Sequence, residues 1–586
     1  MIVPMKKIYV VMQAKDAKSA LDALRDLGVV HVEPEHPPAG SGISELKMQM
    51  DMLARVLEVL PEKAASPERL EKTLWQKYAN EVLDLNNKIA EAKEEVQRWQ
   101  NEIQRWQAWG NFDPQDILDL EARGIHIQFF EMSAAQLKKF STETVIKIIH
   151  EEKNRVRCIV FSRQEFQAPA TGLMLPAFSL RDMQNMRDNL REDMRESADR
   201  LKALVKYRAG FKEILAEKEA ELKFAEALHG MGEKAGLNYL KGFIPADQEK
   251  KLREMSRTRQ WGVLVEDPAA DDTVPTLIRN PKWVEMITPL FGLMNIVPGY
   301  KEKDISVFFL IFFSIFFSLL VGDAGYGSIF LIVTFVVDKR FGRRMADKSV
   351  IGLMYLLSIC TIIWGLLTGT FFGTLLFGRV IRPVLPWLTD AKNLQFLCFL
   401  LGVIHLTIAH LWRSITRGPT LGALAEIGWI MALWGSFFLV NMMLLGTPLP
   451  GFVKYLYMIG AALIVIDIIA QRKDIGVNFI LFVFSMINTF GDIVSYIRLF
   501  AVGLAGVAVA DAFNQMALSI GFGNIFSATA AVFILAFVHL FLNLALCIMG
   551  VLVHGVRLNV LEFSGHLGME WSGIKYNPLR VSKQIV

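Results

Sequence analysis

The sequence lacks several features of catalytic and metal-binding proteins. Its 586 residues include only four cysteines, and no two have CxxC spacing, so neither a zinc site nor a disulfide framework is expected. The chain has no GxxxxGK[ST] motif for a P-loop nucleotide site and no HExxH motif for a zinc protease. His405 and His410 lie five residues apart in an apolar run, where a structural or pore-lining role is favoured over a metal site. We predict no metal and no cofactor.

Charge is scarce in the second half of the chain. The sequence has 63 basic and 59 acidic residues, but only 33 of them lie from Lys301 onward. The first 300 residues carry a net charge of −3 and the remainder +7, which excludes a single globular enzyme domain. We predict a cytoplasmic half, residues 1–300, and a membrane half, residues 301–586. The N-terminal segment is too polar to be a signal peptide.

The first half is predicted to contain two long helical segments, one at residues 43–109, interrupted near Pro61 and Pro67, and one at residues 180–232. The first has apolar residues at alternating three- and four-residue spacing, as in a coiled coil. A compact helical bundle is the alternative, but neither helix has apolar surface on all sides. An antiparallel helical hairpin with a small α/β lobe at each end is therefore favoured. The proximal lobe is predicted at residues 1–35 with 236–275, and the distal lobe at residues 112–175.

Seven apolar runs in the second half are each long enough to span a bilayer. The first, residues 305–337, contains GDAGYG at 322–327, which predicts a turn inside the membrane. This break gives eight spans and leaves 14 basic residues on the cytoplasmic side against four outside, as the positive-inside rule requires. We predict an α-helical polytopic membrane protein with about eight spans and both termini cytoplasmic. The other runs cover residues 349–377, 394–412, 421–446, 452–470, 478–520 and 526–560.

Arg498 is the charged residue that lies deepest in these runs. Placing an arginine at the centre of a membrane helix costs roughly 2.5–3.5 kcal/mol on insertion scales. Small residues let another helix approach closely, and an arginine stays protonated when poorly hydrated. Arg498 is therefore predicted to attract a passing carboxylate, with a salt bridge to Asp492 or Glu562 as the alternative. The helix face after it carries only alanines at helical spacing: Ala501, Ala505, Ala508 and Ala512.

A second arginine, Arg557, lies near the end of the last apolar run. His554 precedes it by three residues and Glu562 follows it by five. Two explanations of Arg557 are equally favoured. Its side chain either extends to the membrane surface (snorkelling) or has a functional role. Asp467, Asp511 and Glu426 also lie within apolar runs, where packing or interfacial roles compete with function.

Three motifs resemble those of the membrane stator subunit of V-type and A-type rotary ATPases, called subunit a or subunit I. GDAGYG at 322–327 is similar to the family's GD-x-G-x-G segment. GDIVSYIRLFAVGLAG at 491–506 resembles its SY-x-RL-x-A helix, and HGVRLNVLEF at 554–563 resembles its H-x-x-RL-x-x-x-E helix. The likeness covers essentially the whole chain. It implies that the last two helices are long and tilted, and that a structural turn is formed by Gly322, Asp323, Gly325 and Gly327.

The resemblance also implies roles for three charged residues. Arg498 would face the carboxylate of the rotor ring, Arg557 would be the second arginine of the neighbouring helix, and Glu562 an acid at that helix's cytoplasmic end. Gly506, Cys547 and Asp492 depart from the eukaryotic pattern, which indicates the bacterial or archaeal branch. The remaining candidates for the ion path are Glu426, Asp492, Asp511, Gln515, Asn543 and His554.

The resemblance implies a stator that is not itself an enzyme. Its membrane half would form two offset half-channels against the rotor ring, separated by Arg498, and its cytoplasmic arm would anchor peripheral stalks. The implied partners are the ring proteolipids, the peripheral stalks, a central-stalk adaptor and membrane lipid, with no nucleic acid. The implied location is the plasma membrane of a prokaryote, and selectivity between H⁺ and Na⁺ is expected to lie mainly in the ring. A secondary transporter or channel with a coiled-coil regulatory domain is the alternative, although no inverted repeat is evident.

Overall fold

The computed structural model describes most of the chain. Several predictions fall partly or wholly outside the described residues. They are the distal lobe at 112–175, in which residues 138–143, 153–154 and 165–171 are not described, and the basic residues used to orient the spans: Arg343, Arg344, Arg379, Arg472, Lys473 and Lys583. The described residues are 1–62, 68–137, 144–152, 155–164, 172–234, 236–342, 345, 348–374, 382–471, 475–521 and 523–580.

The chain divides into two compact units. One comprises Met1–Ile8, Phe243–Arg259 and Leu264–Asn577, and the other Tyr9–Gly242, Gln260–Val263 and Pro578–Val586. The predicted division at residue 300 remains a prediction. The elements of the first 300 residues are β1 (Met5–Gln13), α1 (Ala17–Leu27), β2 (His31–Glu33), α2 (Ser41–Val59), α3 (Trp75–Trp106), α4 (Pro114–Ala122), β3 (His126–Met132), α5 (Ala134–Leu137), β4 (Val145–Glu152), β5 (Arg155–Ser162), α6 (Leu180–Leu204), α7 (Arg208–His229), β6 (Gly232–Lys234), β7 (Leu237–Pro245), α8 (Glu249–Arg259), β8 (Gly262–Glu266), β9 (Pro275–Thr276), α9 (Lys282–Glu285) and α10 (Thr288–Met294).

Within the described residues, two sheets form from strands of this part of the chain alone, and β9 pairs with β10 near the C-terminus. The first has the strand order β2-β7-β1-β8, with β6 paired to β7. The second has the order β3-β5-β4, and both of its pairings are antiparallel. Helix α1 ends at Gly28, whose φ of 67° is the left-handed conformation that glycine adopts without a Cβ penalty. The predicted lobes contain these sheets, and their placement at the two ends of the hairpin remains a prediction.

The long helices pair as an antiparallel hairpin, with α3 against α6 and α2 against α7. The pairing is cross-linked by Arg200 Nε to Glu81 at 2.7 Å and by Lys72 Nζ to Glu217 at 2.6 Å. These ion pairs are partly exposed, so they fix the register more than they stabilise the unit. The stability comes from buried apolar side chains at the α2–α3 and α6–α7 junctions, including Val56, Trp75, Leu204 and Phe211.

The second long helix is interrupted, in contrast to the predicted single helix over 180–232. A 3₁₀ turn at Val205–Tyr207 separates α6 from α7. The guanidinium of Arg208 hydrogen-bonds to the carbonyls of Leu57 and Leu60 at the end of α2. Because these contacts satisfy unpaired carbonyls at a helix terminus, they favour the break over a continuous helix. Sequence periodicity does not report such a tertiary contact.

The apolar part of the chain forms a bundle of long helices. Among the described residues, six helices are long and apolar enough to cross a membrane, with α17 and α18 counted together as one, and each coincides with one of the apolar runs. Counting the bent pair α11–α12 as two spans would give the predicted eight, and that count stays a prediction. The elements are α11 (Ser306–Val321), α12 (Ala324–Phe341), α13 (Ser349–Thr368), α14 (Ala391–Arg417), α15 (Leu421–Leu445), α16 (Val453–Gln471), α17 (Ile475–Ser495), α18 (Ile497–Ile520), α19 (Ile525–Leu567) and β10 (Ile574–Lys575).

The chain turns sharply at the GDAGYG segment. The axes of α11 and α12 differ by 120° across Gly322 and Asp323. Gly322 ends α11 with a φ of 71°, and Asp323 begins α12 as its N-cap. The turn is fixed in place because the Asp323 side chain is 1% exposed and both of its carboxylate oxygens accept hydrogen bonds from backbone amides. A glycine followed by a capping acid is therefore what breaks the apolar run.

The core of the bundle is rich in aromatic side chains. His405 of α14 lies within it, stacked between Phe312 at 4.0 Å and Phe563 at 4.3 Å, and its Nδ1 is 2.8 Å from the Tyr496 hydroxyl. This confirms the structural interpretation of His405. The core packs α11, α14, α18 and α19 together and so sets the position of every charged side chain described next.

Candidate functional site

Arg498 is the second residue of α18. Two contacts hold its side chain. Its Nε donates to the Ser495 carbonyl at 2.9 Å, and its Nη2 donates to Glu562 Oε1 at 2.7 Å. The Arg498 side chain is 21% exposed, whereas that of Glu562 is only 4% exposed. Among the described residues, Glu562 Oε2 is buried without a hydrogen-bond partner. Of the two salt-bridge partners expected from the sequence, the arginine pairs with Glu562.

Arg557 reaches the same carboxylate from within α19. Its Nε lies 3.4 Å from Glu562 Oε1, and its side chain is 53% exposed. In a regular α-helix, residues five apart point about 140° away from each other. Here the helix adopts π geometry over Val551–Gly555 and Leu558–Phe563, which brings residues at i and i+5 together. Two guanidinium groups therefore share one buried carboxylate.

A chain of hydrogen bonds, which we call the histidine cluster, lies on one side of Arg498. Asp492 Oδ2 is 3.0 Å from His566 Nε2, and His566 Nδ1 is 2.8 Å from His410 Nε2. His410 Nδ1 is in turn 2.6 Å from Glu426 Oε2. The other oxygen of that carboxylate accepts from two guanidinium groups. These belong to Arg413 at 3.1 Å and Arg417 at 2.9 Å.

The histidine cluster borders a polar cavity of about 300 Å³. Its wall is formed by α14, α15, α17 and α19 and includes Glu562, so the cavity reaches the acid that holds Arg498. Lys303 lies in the loop before α11. Its pKa is lowered mainly by burial and further by the guanidinium groups of Arg413 and Arg417. The lining residues are His410, Arg413, Trp429, Ser485, Asn488, Thr489, Asp492, Leu561, Glu562, Gly565 and His566.

A second group of polar side chains, which we call the Asp511 cluster, lies farther along α18. Its acid accepts hydrogen bonds from the amide and hydroxyl of Thr374. His539 is its central ring, with Nε2 2.8 Å from Asn514 Oδ1 and Nδ1 2.7 Å from the Tyr326 hydroxyl. The cluster is completed by Asn543, whose amide donates to the Tyr326 hydroxyl at 2.7 Å and to the Gly506 carbonyl at 3.0 Å.

The Asp511 cluster is attached to the turn between α11 and α12. Asp323 Oδ1 accepts from the amides of Gly325 at 2.7 Å and Phe372 at 2.9 Å, and Oδ2 accepts from Gly373 at 2.8 Å. Gly325 leaves room for the Phe372 ring, which an added Cβ would approach to 2.8 Å. Gly327 leaves comparable room for Ile362 on α13. Asp323 therefore organises backbone, while Asp511 accepts from one backbone amide and one hydroxyl, both of Thr374.

The stripe of alanines that follows Arg498 on α18 is exposed. Ala501, Ala505, Ala508 and Ala512 are all exposed on the surface of α18. Gln515 is also exposed and is not among the Asp511-cluster contacts described above. His554 is half-buried, and in the described part of the chain its Nδ1 has no hydrogen-bond partner. The candidate residues thus divide between an exposed helix face and two internal polar clusters.

Sequence reasoning missed several members of these clusters. His566 and His410 are 156 positions apart, and Tyr326 and His539 are 213 apart, so no local spacing connects them. One sequence signal could have found them, because a single polar residue inside an apolar run is unusual. His410, Asn514 and His539 have this property, as the charged residues do. Among the described residues, no three His, Cys, Asp or Glu side chains are placed to hold a metal ion.

Comparison with known proteins identifies the family. A V-type ATP synthase subunit I from Treponema pallidum is 30% identical over 631 residues, covering 99% of this chain and 100% of that protein. The chain belongs to the subunit I family of V-type and A-type ATP synthases. The resemblance seen in the sequence motifs is thereby confirmed, and subunit I is a non-catalytic membrane subunit of the rotary ATPase.

Other relatives of this subunit I are bacterial and archaeal. A V-type ATP synthase subunit I from Borreliella burgdorferi is 29% identical over 620 residues, covering 100% of both chains. An A-type ATP synthase subunit I from Methanocaldococcus jannaschii is 24% identical over 523 residues, covering 80% of this chain and 73% of its own. No protein-family model matches the chain.

One solved structure is similar to part of this subunit I. It is the crystal structure of the cytoplasmic N-terminal domain of subunit I, a homologue of subunit a of V-ATPase. The match covers 44% of this chain and 99% of that one at 18% identity and a TM-score of 0.21. A TM-score of 0.21 does not establish a shared fold.

Proposed function

We propose that this subunit I is the stator that carries ions past the rotor ring, with Arg498 separating two half-channels. The observation that carries the proposal is the placement of one arginine between two polar clusters along α17 and α18, which together form one long candidate span. Asp492 lies six residues before Arg498, and Asp511 lies thirteen residues after it. Thirteen residues of helix span about 20 Å, so the clusters would serve different sides of the membrane.

In this proposal the exposed alanine stripe faces the ring. A ring helix would pass close to α18 because alanines leave no side chain in its way. As a ring carboxylate reaches Arg498, the guanidinium favours its ionised form and so promotes release of the carried ion. Glu562 holds the guanidinium in position between such encounters. Arg557, more exposed than its neighbour, would assist from the adjacent helix.

The two polar clusters would supply the two half-channels. The histidine cluster, with its cavity of about 300 Å³, would open to the cytoplasm, because Arg413 and Arg417 lie at the basic end of α14. The Asp511 cluster would lie on the outer path, together with Asn543 near Gly506. Glu426, a candidate for the ion path from the sequence, would belong to the cytoplasmic side. Gln515 and His554 remain candidates without a contact that assigns them.

The hairpin of α2, α3, α6 and α7 would resist torque. Its helices are held together by buried apolar contacts near the α2–α3 and α6–α7 junctions and by cross-linking ion pairs, and it would connect the membrane subunit to peripheral stalks. We place the chain in the plasma membrane of a prokaryote with both termini in the cytoplasm. Its partners would be the ring proteolipids, the peripheral stalks and the central-stalk adaptor.

The decisive experiment replaces Arg498 in the intact ATP synthase. Arg498→Ala is expected to abolish ATP-driven ion uptake into proteoliposomes while the complex still assembles, because nothing would then separate the two half-channels. Arg382→Ala serves as the control, since this arginine lies in a loop outside the bundle helices, and it should leave uptake unchanged. Coupled uptake that survives Arg498→Ala would contradict the proposal. Transport by purified subunit I without a ring would favour the alternative of a secondary transporter.

A further inference from the structure

The segment that follows α19, residues 568–577, is tied to the loop before α11. Glu302 of that loop is half-buried, and its Oε1 accepts hydrogen bonds from the amides of Glu570 at 2.6 Å and Trp571 at 3.2 Å. Its Oε2 accepts from the Gly299 amide at 2.7 Å. Hydrogen bonds to an ionised carboxylate are roughly twice as strong as neutral ones, so one acid holds both chain segments firmly.

Backbone contacts hold the same segment farther along. The Gly573 amide donates to the Val297 carbonyl at 3.1 Å, and a Cβ added to this glycine would collide with the Pro298 carbonyl. Strand β10 then pairs with β9 in parallel, and the Tyr576 amide donates to the Thr276 carbonyl at 3.0 Å. The segment is therefore fixed along its length, which makes it a firm attachment for the helix before it.

Trp571 connects this attachment to the last turns of α19. Its Nε1 donates to Ser564 Oγ at 3.0 Å and to the Val560 carbonyl at 3.3 Å. Ser564 Oγ donates to the same carbonyl. The indole packs edge-on against Phe291 of α10, with ring centroids 6.1 Å apart, so its position is set by two elements. The end of α19 is thereby held from outside the helix.

Glu562 lies between the two residues of α19 that Trp571 contacts. It belongs to the π segment Leu558–Phe563, and its Oε1 is 2.7 Å from Arg498 Nη2. Turning α19 by about 20° would move a side-chain tip, about 5–6 Å from the helix axis, by about 2 Å. A displacement of that size breaks a hydrogen bond. The position of Arg498 therefore depends on what fixes the end of α19.

We propose that Glu302 is a positioning residue for Arg498, acting through Trp571 and Glu562. By holding the segment after α19, it prevents the helix from turning when a ring carboxylate pulls on the arginine and then leaves it. Glu562 consequently returns the guanidinium to the same place after every passage. This rests on the proposed function, because it explains how the arginine described there keeps its position.

The first test measures ATP-driven ion uptake and ATP hydrolysis by proteoliposomes that contain the whole ATP synthase. Glu302→Ala removes the acceptor shared by the amides of Glu570 and Trp571, so the number of ions transported per ATP should fall on the order of threefold. Glu302→Gln keeps an oxygen for those amides and loses the bond to Gly299. It should retain most of the coupling, and equal losses in the two variants would overturn the inference.

Trp571→Phe tests the next contact in the series. It removes the Nε1 donor to Ser564 and Val560 but keeps an aromatic ring against Phe291. The number of ions transported per ATP should fall by a factor similar to that of Glu302→Ala. Because it leaves the bonds of Glu302 in place, it also tests the series if Glu302→Ala does not assemble.

Each variant has a matched control on α9. Trp283→Phe makes the same change at a tryptophan that is 52% exposed, and Glu285→Gln changes an exposed acid. Both controls should transport as many ions per ATP as the unmodified complex does.

A double-mutant comparison separates positioning from general stabilisation. Since Glu302 would act through Glu562, Glu302→Ala should cause no further loss of coupling in a complex that already carries Glu562→Gln. A merely structural role for Glu302 would instead give two losses that multiply.

The turning of α19 can be observed without any transport measurement. In the whole complex, Glu302→Ala and Trp571→Phe should both accelerate hydrogen exchange of backbone amides in peptides from residues 556–567, because local opening there becomes easier. Peptides from α15 should exchange as they do in the unmodified complex.

Three further results would overturn the inference. One is an unchanged number of ions per ATP in both Glu302→Ala and Trp571→Phe, and another is a loss that multiplies with that of Glu562→Gln. The third is exchange that accelerates equally in α15 and at the end of α19. Coupled uptake that survives Arg498→Ala would instead remove the proposed function, and local acceleration of exchange at residues 556–567 would still be seen. The two failures are therefore distinguishable.

Discussion

Arg498 and Glu562 are 64 positions apart in the chain, and the arginine Nη2 donates a 2.7 Å hydrogen bond to the glutamate Oε1. The same oxygen lies 3.4 Å from Arg557 Nε. One buried carboxylate thus offsets the mutual repulsion of two cations from neighbouring helices. This arrangement keeps Arg498 charged, oriented and partly exposed in an apolar bundle.

Neutralising this acid should uncouple the complex. Glu562→Gln keeps the shape of the side chain but removes the charge shared by the two arginines. A hydrogen bond to a charged group contributes roughly 1.5–3 kcal/mol, so we expect the number of ions transported per ATP hydrolysed to fall on the order of tenfold. The measurement is ion uptake and ATP hydrolysis by the same proteoliposomes. Glu570→Gln, an exposed acid eight residues later, should behave as the unmodified protein does, and equal loss in both variants would argue against this role.

The Asp323 turn can be tested by stability alone. Asp323→Asn retains one oxygen for the amides of Gly325 and Phe372, but places an NH₂ group against the amide of Gly373. Loss of one buried hydrogen bond, with two donors left facing each other, should cost about 1–3 kcal/mol. We expect a lower midpoint of thermal unfolding in mild detergent.

The matched control for that experiment is Asp390→Asn. Asp390 caps α14 through a single bond to the Lys392 amide at 2.8 Å, and asparagine caps a helix about as well as aspartate does. Its unfolding midpoint should therefore stay close to that of the unmodified protein. An equal shift in both variants would mean that the extra bonds of Asp323 contribute nothing.

The Cys158 thiol offers a test of the sheet β3-β5-β4. The side chain is 0% exposed, and burial raises the pKa of the thiol above its ordinary value. Because only the thiolate reacts, labelling at Cys158 should stay slow at pH 8 and accelerate when the chain unfolds. A thiol placed at the exposed Met174 by Met174→Cys should react at once. Peptide mass spectrometry identifies the labelled position, and rapid labelling of Cys158 in the folded protein would contradict the buried sheet.

The raised pKa of the Cys158 thiol also determines how the stability of this sheet depends on pH. A thiol whose pKa is higher in the folded chain ionises first in the unfolded chain. Its contribution to stability is therefore complete below the ordinary thiol pKa, about 8.5, and is lost as the pH rises above that value. Unfolding of the β3-β5-β4 region should become easier in alkaline buffer than at pH 7.

Local patterns were enough to predict much of this architecture. GDAGYG predicts the turn after α11 because a left-handed glycine and a capping acid act within a few residues. Arg498 could be singled out because a charge in an apolar run is costly wherever it occurs. The hydrogen-bond partners could not be predicted in the same way, since His410 and His566 meet only after α14 and α19 have packed. The break at Val205–Tyr207 depends likewise on carbonyls of α2.

Glu562 shows where residue spacing misleads. Five residues after Arg557, it would lie on a different face of a regular helix, and only the π geometry of α19 brings the two together. Asn514, three residues after Asp511, is the residue that bonds to His539, whereas the candidate Gln515 is exposed.

The π segments of α19 also determine which way the residues after them face around the helix axis. A residue added to or removed from an α-helix turns everything beyond it by about 100°, and a π turn accommodates one extra residue without breaking the helix. The turn at Val551–Gly555 therefore decides which way the whole C-terminal third of α19 faces. Deleting one residue there would leave a continuous helix of nearly unchanged composition, but Arg557, Glu562 and His566 would rotate together away from their partners. The alignment of Arg498 with the buried acid is, in this sense, encoded by a single residue of helix length.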